Sequence, residues 1–243
     1  MQNNMSTATE QGHTEAVVDV HETRCVIVGG GPGGLLLALL LARKGVPVTL
    51  LEAHLTFERD FRGDTIHPGL LEILDEIGIA ERLHERQHVK MYGPTLPGAS
   101  PGTLSFDFRK LLKTRFPYIM WIPQAIFLAF LAEEAQKYPA FRLIMGANVQ
   151  RLIEEEGVVR GVRYRSATGW HEVRAVLTVA ADGRFSRVRK LAGLQPKQTS
   201  SPVELLWFRL PRLADDPPAT GIVSPRFGKG QAMLMIDRAD HWQ

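Results

Sequence analysis

The sequence predicts an α/β fold: a parallel sheet with covering helices, an antiparallel meander of three strands attached to it, and a smaller β-rich part. Three observations predict this. A β-branched run at 23–28 meets a glycine cluster and then an unbroken apolar helix at 35–42. Three short strand-like runs, at 148–153, 158–164 and 170–173, are separated by turns around Glu156-Gly157 and Thr168-Gly169. A nearly continuous apolar run at 174–180 has the composition of a strand covered on both faces.

The first element is the most informative. The glycines after the opening strand fall in a G-x-G-x-x-G pattern on Gly29, Gly31 and Gly34, with Gly30, Pro32 and Gly33 between them. Gly29 permits a tight turn, Gly31 lets the backbone approach a pyrophosphate, and Gly34 lets the helix pack closely on the sheet. The helix N-terminus then offers unpaired N–H groups and the positive end of its dipole to an anion. Gly45 closes that helix, and a second strand at 46–51 ends on Glu52. A carboxylate about twenty residues past such a turn suits the ribose hydroxyls of a dinucleotide. The bland reading is an ordinary strand-to-helix turn followed by a solvated glutamate, and it leaves the glycine run unexplained.

A chain of 243 residues with 44% hydrophobic content can bury a substantial core. The formal charge of +3 comes from scattered residues, without the basic run or aromatic-rich basic face of a nucleic-acid binder. A single cysteine, Cys25, excludes an internal disulfide framework and suits the reducing cytoplasm. The uncharged stretch 25–42 is broken by glycines and Pro32, so it cannot be one membrane-spanning helix. Residues 1–22 lack the basic start and apolar middle of a signal peptide, and a mobile tail is expected there.

Further along, 53–64 reads as loop, and Pro68 opens a helix with Leu70, Leu71, Leu74 and Ile77 on one face, closed by Gly78. Prolines and glycines punctuate 91–108, which predicts an antiparallel excursion. A helix is expected over 125–138, with Ile126, Phe130 and Leu131 inward and Glu133, Glu134 and Lys137 outward. Strands are expected at 203–210 and 231–236. His84 and His88, spaced i, i+4, lack an acidic third ligand nearby and read as a solvated face. Phe106, Phe108, Tyr118, Trp121 and Trp207 suit a substrate pocket or a core equally, and carry no assigned role.

The 174–180 strand runs into Asp182-Gly183, and Ser186 suits the N-cap of a helix that Gly193 ends. Ligands gather at the carboxyl ends of strands in open α/β sheets, so Asp182 could accept from sugar hydroxyls while Gly183 lets the backbone come close. Equally, Asp182 could only cap the helix.

The glycine fingerprint with Glu52, the arginine of Phe61-Arg62-Gly63-Asp64, the Ile122-Pro123-Gln124 start of a helix, and the Asp182-Gly183 turn together make the chain resemble the flavoprotein aromatic hydroxylases. These are FAD monooxygenases of the para-hydroxybenzoate hydroxylase type. The resemblance implies a Rossmann-like FAD-binding sheet of residues 23–90 and 115–195, and an incomplete substrate domain of 91–114 and 196–243. It implies that Gly29, Gly31, Pro32, Gly33 and Gly34 hold the FAD diphosphate, and Glu52 the adenosine ribose. Arg62 would reach the phosphates and Gln124 the ribityl or diphosphate region, with Asp182 and Gly183 beside flavin and nicotinamide nucleotide. For Arg62 a solvated loop position, and for Gln124 a surface one, remain open. NADPH or NADH, oxygen and a small organic substrate would complete the reaction, a hydroxylation or epoxidation. No protein catalytic residue and no metal ligand is implied, since the cofactor carries the chemistry. This sequence departs from the family in lacking, after Asp182, the late Gly-Asp segment that the family carries, so the chain is expected to be the first part of a longer hydroxylase. A flavin dehydrogenase or reductase of the same architecture, or an inactive nucleotide-binding fragment, stays open beside it.

Overall fold

A computed structural model describes residues 16–58, 64–97, 103–197, 205–217, 223–228, 230–238 and 241–243. The expected tail up to residue 15 and Arg62 lie outside the described residues. The chain divides into two units, Met1–Thr56 with Leu131–Gln195, and Phe57–Phe130 with Pro196–Gln243.

The chain opens with β1 (Val17–Val28), α1 (Pro32–Arg43) and β2 (Val48–Glu52). Then come β3 (Thr65–Ile66), α2 (Pro68–Glu76), α3 (Ala80–His84), β4 (Val89–Met91), β5 (Thr95–Pro97) and β6 (Thr103–Ser105). Next are α4 (Phe108–Leu111), β7 (Ile119–Trp121), α5 (Gln124–Gln136), β8 (Phe141–Met145), β9 (Asn148–Glu155) and β10 (Val158–Ser166). Last are β11 (Gly169–Ala180), α6 (Arg187–Leu191), β12 (Leu210–Pro211), β13 (Val223–Gly228), β14 (Gln231–Ile236) and β15 (His241–Trp242).

The first unit is built on one sheet in the order β8-β2-β1-β11-β10-β9. The strands β8, β2, β1 and β11 run parallel, and β10 and β9 continue antiparallel from β11 as the expected meander. Every residue of β2 is buried, as in a sheet covered on both faces. Helix α1 buries Gly34, Leu35, Ala38, Leu39 and Ala42, the i, i+4, i+8 stripe that faces a sheet. The apolar run 174–180 departs from the expectation: within β11 only Ala175 of that run is buried, and Val176 and Leu177 are 62% and 56% exposed, so this end of the strand is not covered on both faces.

Three further readings change. The first strand begins at Val17 rather than at residue 23, because 17–23 pair with β11 although none of their side chains is buried. The third meander run and the 174–180 strand are a single 12-residue strand, β11. No turn-forming residue separates Val173 from Arg174, and both halves find a partner in β1. Strand β8 had no signal of its own; it extends the sheet by pairing with β2 from Val48↔Phe141 to Glu52↔Met145.

In the second unit, β3, β7 and β4 form an antiparallel sheet, and β5–β6 and β13–β14 form two-stranded sheets. Helix α2 starts at Pro68 and buries Leu71 and Leu74, with Gly78 at φ +74° beyond its end. The strand expected over 203–210 is reduced to β12, with 203 and 204 outside the described residues.

Helix α5 begins at Gln124, and Glu134, expected outward, is buried at 5% exposure with the Lys137 ammonium 2.6 Å away. His84 also leaves the solvated face: its Nδ1 meets the Ala80 carbonyl at 2.6 Å and its Nε2 makes a short hydrogen bond with the Tyr118 hydroxyl. The Tyr118 ring is buried, which is why its hydroxyl pKa is pushed up to about 12. Among the described residues, no helix is long and apolar enough to cross a membrane.

Candidate functional site

The turn from β1 into α1 sits between the carboxyl ends of β2 and β11, the strands that flank β1. Its backbone is fixed from both sides. The Gly29 N–H donates to the Leu51 carbonyl at 2.8 Å, and the Ala181 N–H donates to the Val28 carbonyl at 2.7 Å. Gly29 has φ +109°, and a Cβ there would lie 2.3 Å from the Ala181 carbonyl oxygen, so both conformation and space require glycine.

The remaining glycines separate into two kinds. At Gly30 a Cβ would come within 2.8 Å of Glu52 Oε2, and at Gly34 within 2.0 Å of the Gly29 carbonyl oxygen. Those positions are packed against protein. At Gly31 and Gly33 a Cβ would meet nothing within 4 Å. They face open space, and neither has the left-handed backbone that would demand glycine for its own sake.

Helix α1 starts at this open side. Its N-cap is Gly31, no side chain caps it, Pro32 occupies the first turn, and no acidic residue lies there. The opening N–H groups of a helix have no partner within it and carry the positive end of its dipole. An uncapped, acid-free helix start with two side-chain-less residues before open space therefore fits a bulky anion such as a diphosphate. The residues present fit FAD in this respect.

Glu52 ends β2 beside this turn and is 3% exposed. Its Oε2 accepts from the Gly30 N–H at 2.7 Å and its Oε1 accepts from the His54 N–H at 2.9 Å. The carboxylate thus clamps the glycine turn, a task the sequence spacing did not disclose. The signal was present all the same: Gly30 falls outside the G-x-G-x-x-G positions, and it is glycine because Glu52 occupies the space of its side chain.

On the other side, Asp182 follows β11, and the structure gives its carboxylate the capping task. Oδ2 accepts from the backbone N–H groups of Arg187 at 2.7 Å and Val188 at 3.1 Å, and Oδ1 accepts from the Ser186 hydroxyl. Ser186 is the N-cap of α6, its hydroxyl accepting from the Arg189 N–H at 2.9 Å. Most of the acceptor capacity of Asp182 is spent inside the protein. Gly183, by contrast, has φ +81° and nothing near its absent side chain. Glu52 and Asp182 thus stand at the same carboxyl edge of the sheet, on the two strands either side of β1.

Gln124 belongs to the second unit, at the first position of α5. Its N–H donates to Asp64 Oδ1 at 3.3 Å, and the Ile122 N–H donates to the Asp64 carbonyl at 2.9 Å. Asp64 also takes the Arg238 guanidinium at 2.6 Å, with both side chains largely buried, and that guanidinium stacks over Trp121 at 4.8 Å. The sequence placed Asp64 at the end of a loop and gave it no role; only the pairing of β3 with β7 brings it to the start of α5. Of the unassigned aromatics, Tyr118 is buried and Phe106 and Trp207 are exposed.

Comparison with known proteins decides the family. Residues 22–229 match the family model described as "FAD binding domain". The chain belongs to that family of FAD-binding proteins.

This FAD-binding chain is 38% identical over 185 residues to 6-methylpretetramide 4-monooxygenase of Streptomyces rimosus, a match covering 75% of the chain and 44% of that enzyme. It is 32% identical over 199 residues to rifampicin monooxygenase of Streptomyces venezuelae, covering 82% of the chain and 40% of the relative. Among solved structures, p-nitrophenol 4-monooxygenase PnpA from Pseudomonas putida superposes with a TM-score of 0.65 at 26% identity, over 73% of this chain and 45% of that one. The chain spans less than half the length of these relatives. The superposition on p-nitrophenol 4-monooxygenase shows that this mixed α/β fold is that of the FAD-dependent monooxygenases.

Proposed function

We propose that the turn Gly29–Gly34 holds the diphosphate of FAD and that the protein is a flavin-dependent monooxygenase. It would use NADPH or NADH and oxygen to hydroxylate or epoxidise a small aromatic or polycyclic compound. The observation that carries the binding site is the uncapped start of α1 with Gly31 and Gly33 open in front of it. The reaction class is supported by relatives named as monooxygenases, and the substrate class by the compounds in their names.

In this reading the protein residues bind, orient and exclude water. Gly31 and Gly33 let the diphosphate reach the α1 N–H groups, and Glu52 holds the turn beside the place of the adenosine ribose. Gly183 supplies close backbone approach. Asp182 acts through the turn it caps. Arg62 would supply forked donors to the phosphates, and Gln124 an amide to the ribityl or diphosphate region. When bound, the flavin supplies the redox chemistry, so no protein nucleophile is needed. A discontinuous FAD-binding domain of 23–90 and 115–195, with 91–114 and 196–243 on the substrate side, goes with this proposal. So does a place in the cytoplasm, for which the single cysteine is the support.

Purified protein tests it. Bound flavin should absorb in the visible, release as FAD on denaturation, and raise the melting temperature when added to stripped protein. Colourless protein whose melting point ignores added FAD would sink the binding site. Oxidation of NADPH or NADH that consumes oxygen without oxygenated product would point to a reductase instead.

A further inference from the structure

Away from the glycine turn, the hairpin joining β10 to β11 and the start of the neighbouring β1 bring together three side chains in the order of a nucleophile, a base and an acid that orients the base. Strand β11 lies between β1 and β10, and the register sets His171 opposite Asp19 on one side and Tyr164 on the other. Ser166 lies two residues beyond Tyr164, on the same face of the pleat. Asp19 Oδ1 makes a short hydrogen bond with His171 Nδ1, and His171 Nε2 lies 2.8 Å from Ser166 Oγ. The imidazole stacks on the Tyr164 ring at 4.8 Å and is 7% exposed, whereas Ser166 is half-buried.

A carboxylate only accepts, so Nδ1 carries a proton, and in the neutral imidazole the Nε2 lone pair then faces the serine hydroxyl. That is the tautomer a general base needs to activate a serine. Thr168 completes the cluster: its hydroxyl lies 3.0 Å from Nε2 and 2.9 Å from Ser166 Oγ, and its N–H donates to Ser166 Oγ at 3.1 Å. None of these residues takes part in the flavin site.

We infer that Ser166 is an activated nucleophile that accepts acyl groups from small esters with good leaving groups, an activity separate from the flavin reaction. Ser166 Oγ attacks the ester carbonyl carbon while its proton passes to His171 Nε2. The C–O bond to the leaving group breaks, the alcohol departs with the proton from His171, and an acyl ester remains on Ser166. Water, deprotonated by His171, then attacks that ester, releases the carboxylic acid and restores the serine. The cycle is redox-neutral and needs only water. Asp19 is a positioning residue, holding the imidazole in one tautomer.

The full chain is treated with a fluorophosphonate and with p-nitrophenyl acetate, and the modified residue is located by peptide mass spectrometry. An adduct on Ser166 is expected, absent from Ser166→Ala and kept in Thr168→Val. In Asp19→Asn its formation slows by about tenfold or more, and Asp19→Glu recovers part of the rate, at unchanged melting temperature. An unsubstituted chain left unmodified at Ser166 would overturn the proposal. So would an adduct on Thr168 instead, or equal rates with Asn and Asp at position 19.

Discussion

A Cβ placed on Gly34 would lie 2.0 Å from the carbonyl oxygen of Gly29, closer than any real side chain approaches a backbone. The third glycine of the fingerprint is therefore a packing residue, and the helix could not start where it does without it. Gly34→Ala and Gly29→Ala should each destabilise the protein by roughly 2 kcal/mol or more, because the neighbour that must move is backbone. Gly33→Ala, inside α1, should leave the melting temperature of FAD-free protein unchanged or slightly raised, Gly31→Ala should cost no more than the roughly 1 kcal/mol of an N-cap, and both should weaken FAD binding at least about tenfold. Melting curves and FAD titrations on the four variants separate the two classes. A parallel loss of stability in Gly31→Ala would refute the division.

Glu52 clamps two backbone N–H groups while almost wholly buried. Glu52→Gln keeps one acceptor and turns an NH2 toward the other donor, so stability should fall by about 1–3 kcal/mol. Denaturant unfolding of FAD-free protein measures this, apart from any effect on the cofactor.

Ser186 and Asp182 close the start of α6 between them. Ser186→Ala should cost about 1 kcal/mol, the usual worth of an N-cap. Asp182→Ala should cost more, since it strips partners from two N–H groups and the Ser186 hydroxyl together. If Asp182 acts on FAD only through this turn, Asp182→Asn should change FAD affinity and stability in proportion, which paired titrations and melts would show.

Burial pushes the Tyr118 hydroxyl up to about 12. Its pKa is raised in the folded state, so the stability it contributes is intact below about pH 10 and is lost as pH rises toward 12, because the unfolded chain sheds the proton first. Unfolding free energies measured across that window should fall less steeply in Tyr118→Phe than in the unsubstituted protein. Equal slopes would contradict the raised value.

The nucleotide half of the fold was legible because its signals are local. The strand at 23–28, the glycine turn, the helix ending at Gly45 and the strand ending at Glu52 are contiguous, and each residue type limits the backbone around it. The Ser186 cap and the turn at Glu156-Gly157, with φ of 52° and 77°, were readable for the same reason. Less legible were elements whose identity depends on a distant partner: the unburied start of β1, the strand β8, and the merging of two runs into β11. In Val17–Glu22 the valines at 17, 18 and 20 do not alternate, and Val18 and Val20 stay exposed, so no buried face marks the segment and its pairing with β11 is what makes it a strand.

The sequence by itself determined that a β-strand, a glycine turn and a helix would meet as an anion-binding corner, since glycine and proline fix backbone geometry within a few residues. Tertiary structure alone decided which glycines face protein and which face open space, that Glu52 grips the turn while Asp182 caps α6, and that Asp19, His171 and Ser166 meet on one face. Those outcomes depend on which strands become neighbours in the sheet, and side chains far apart in the chain acquire their roles only once that register is set.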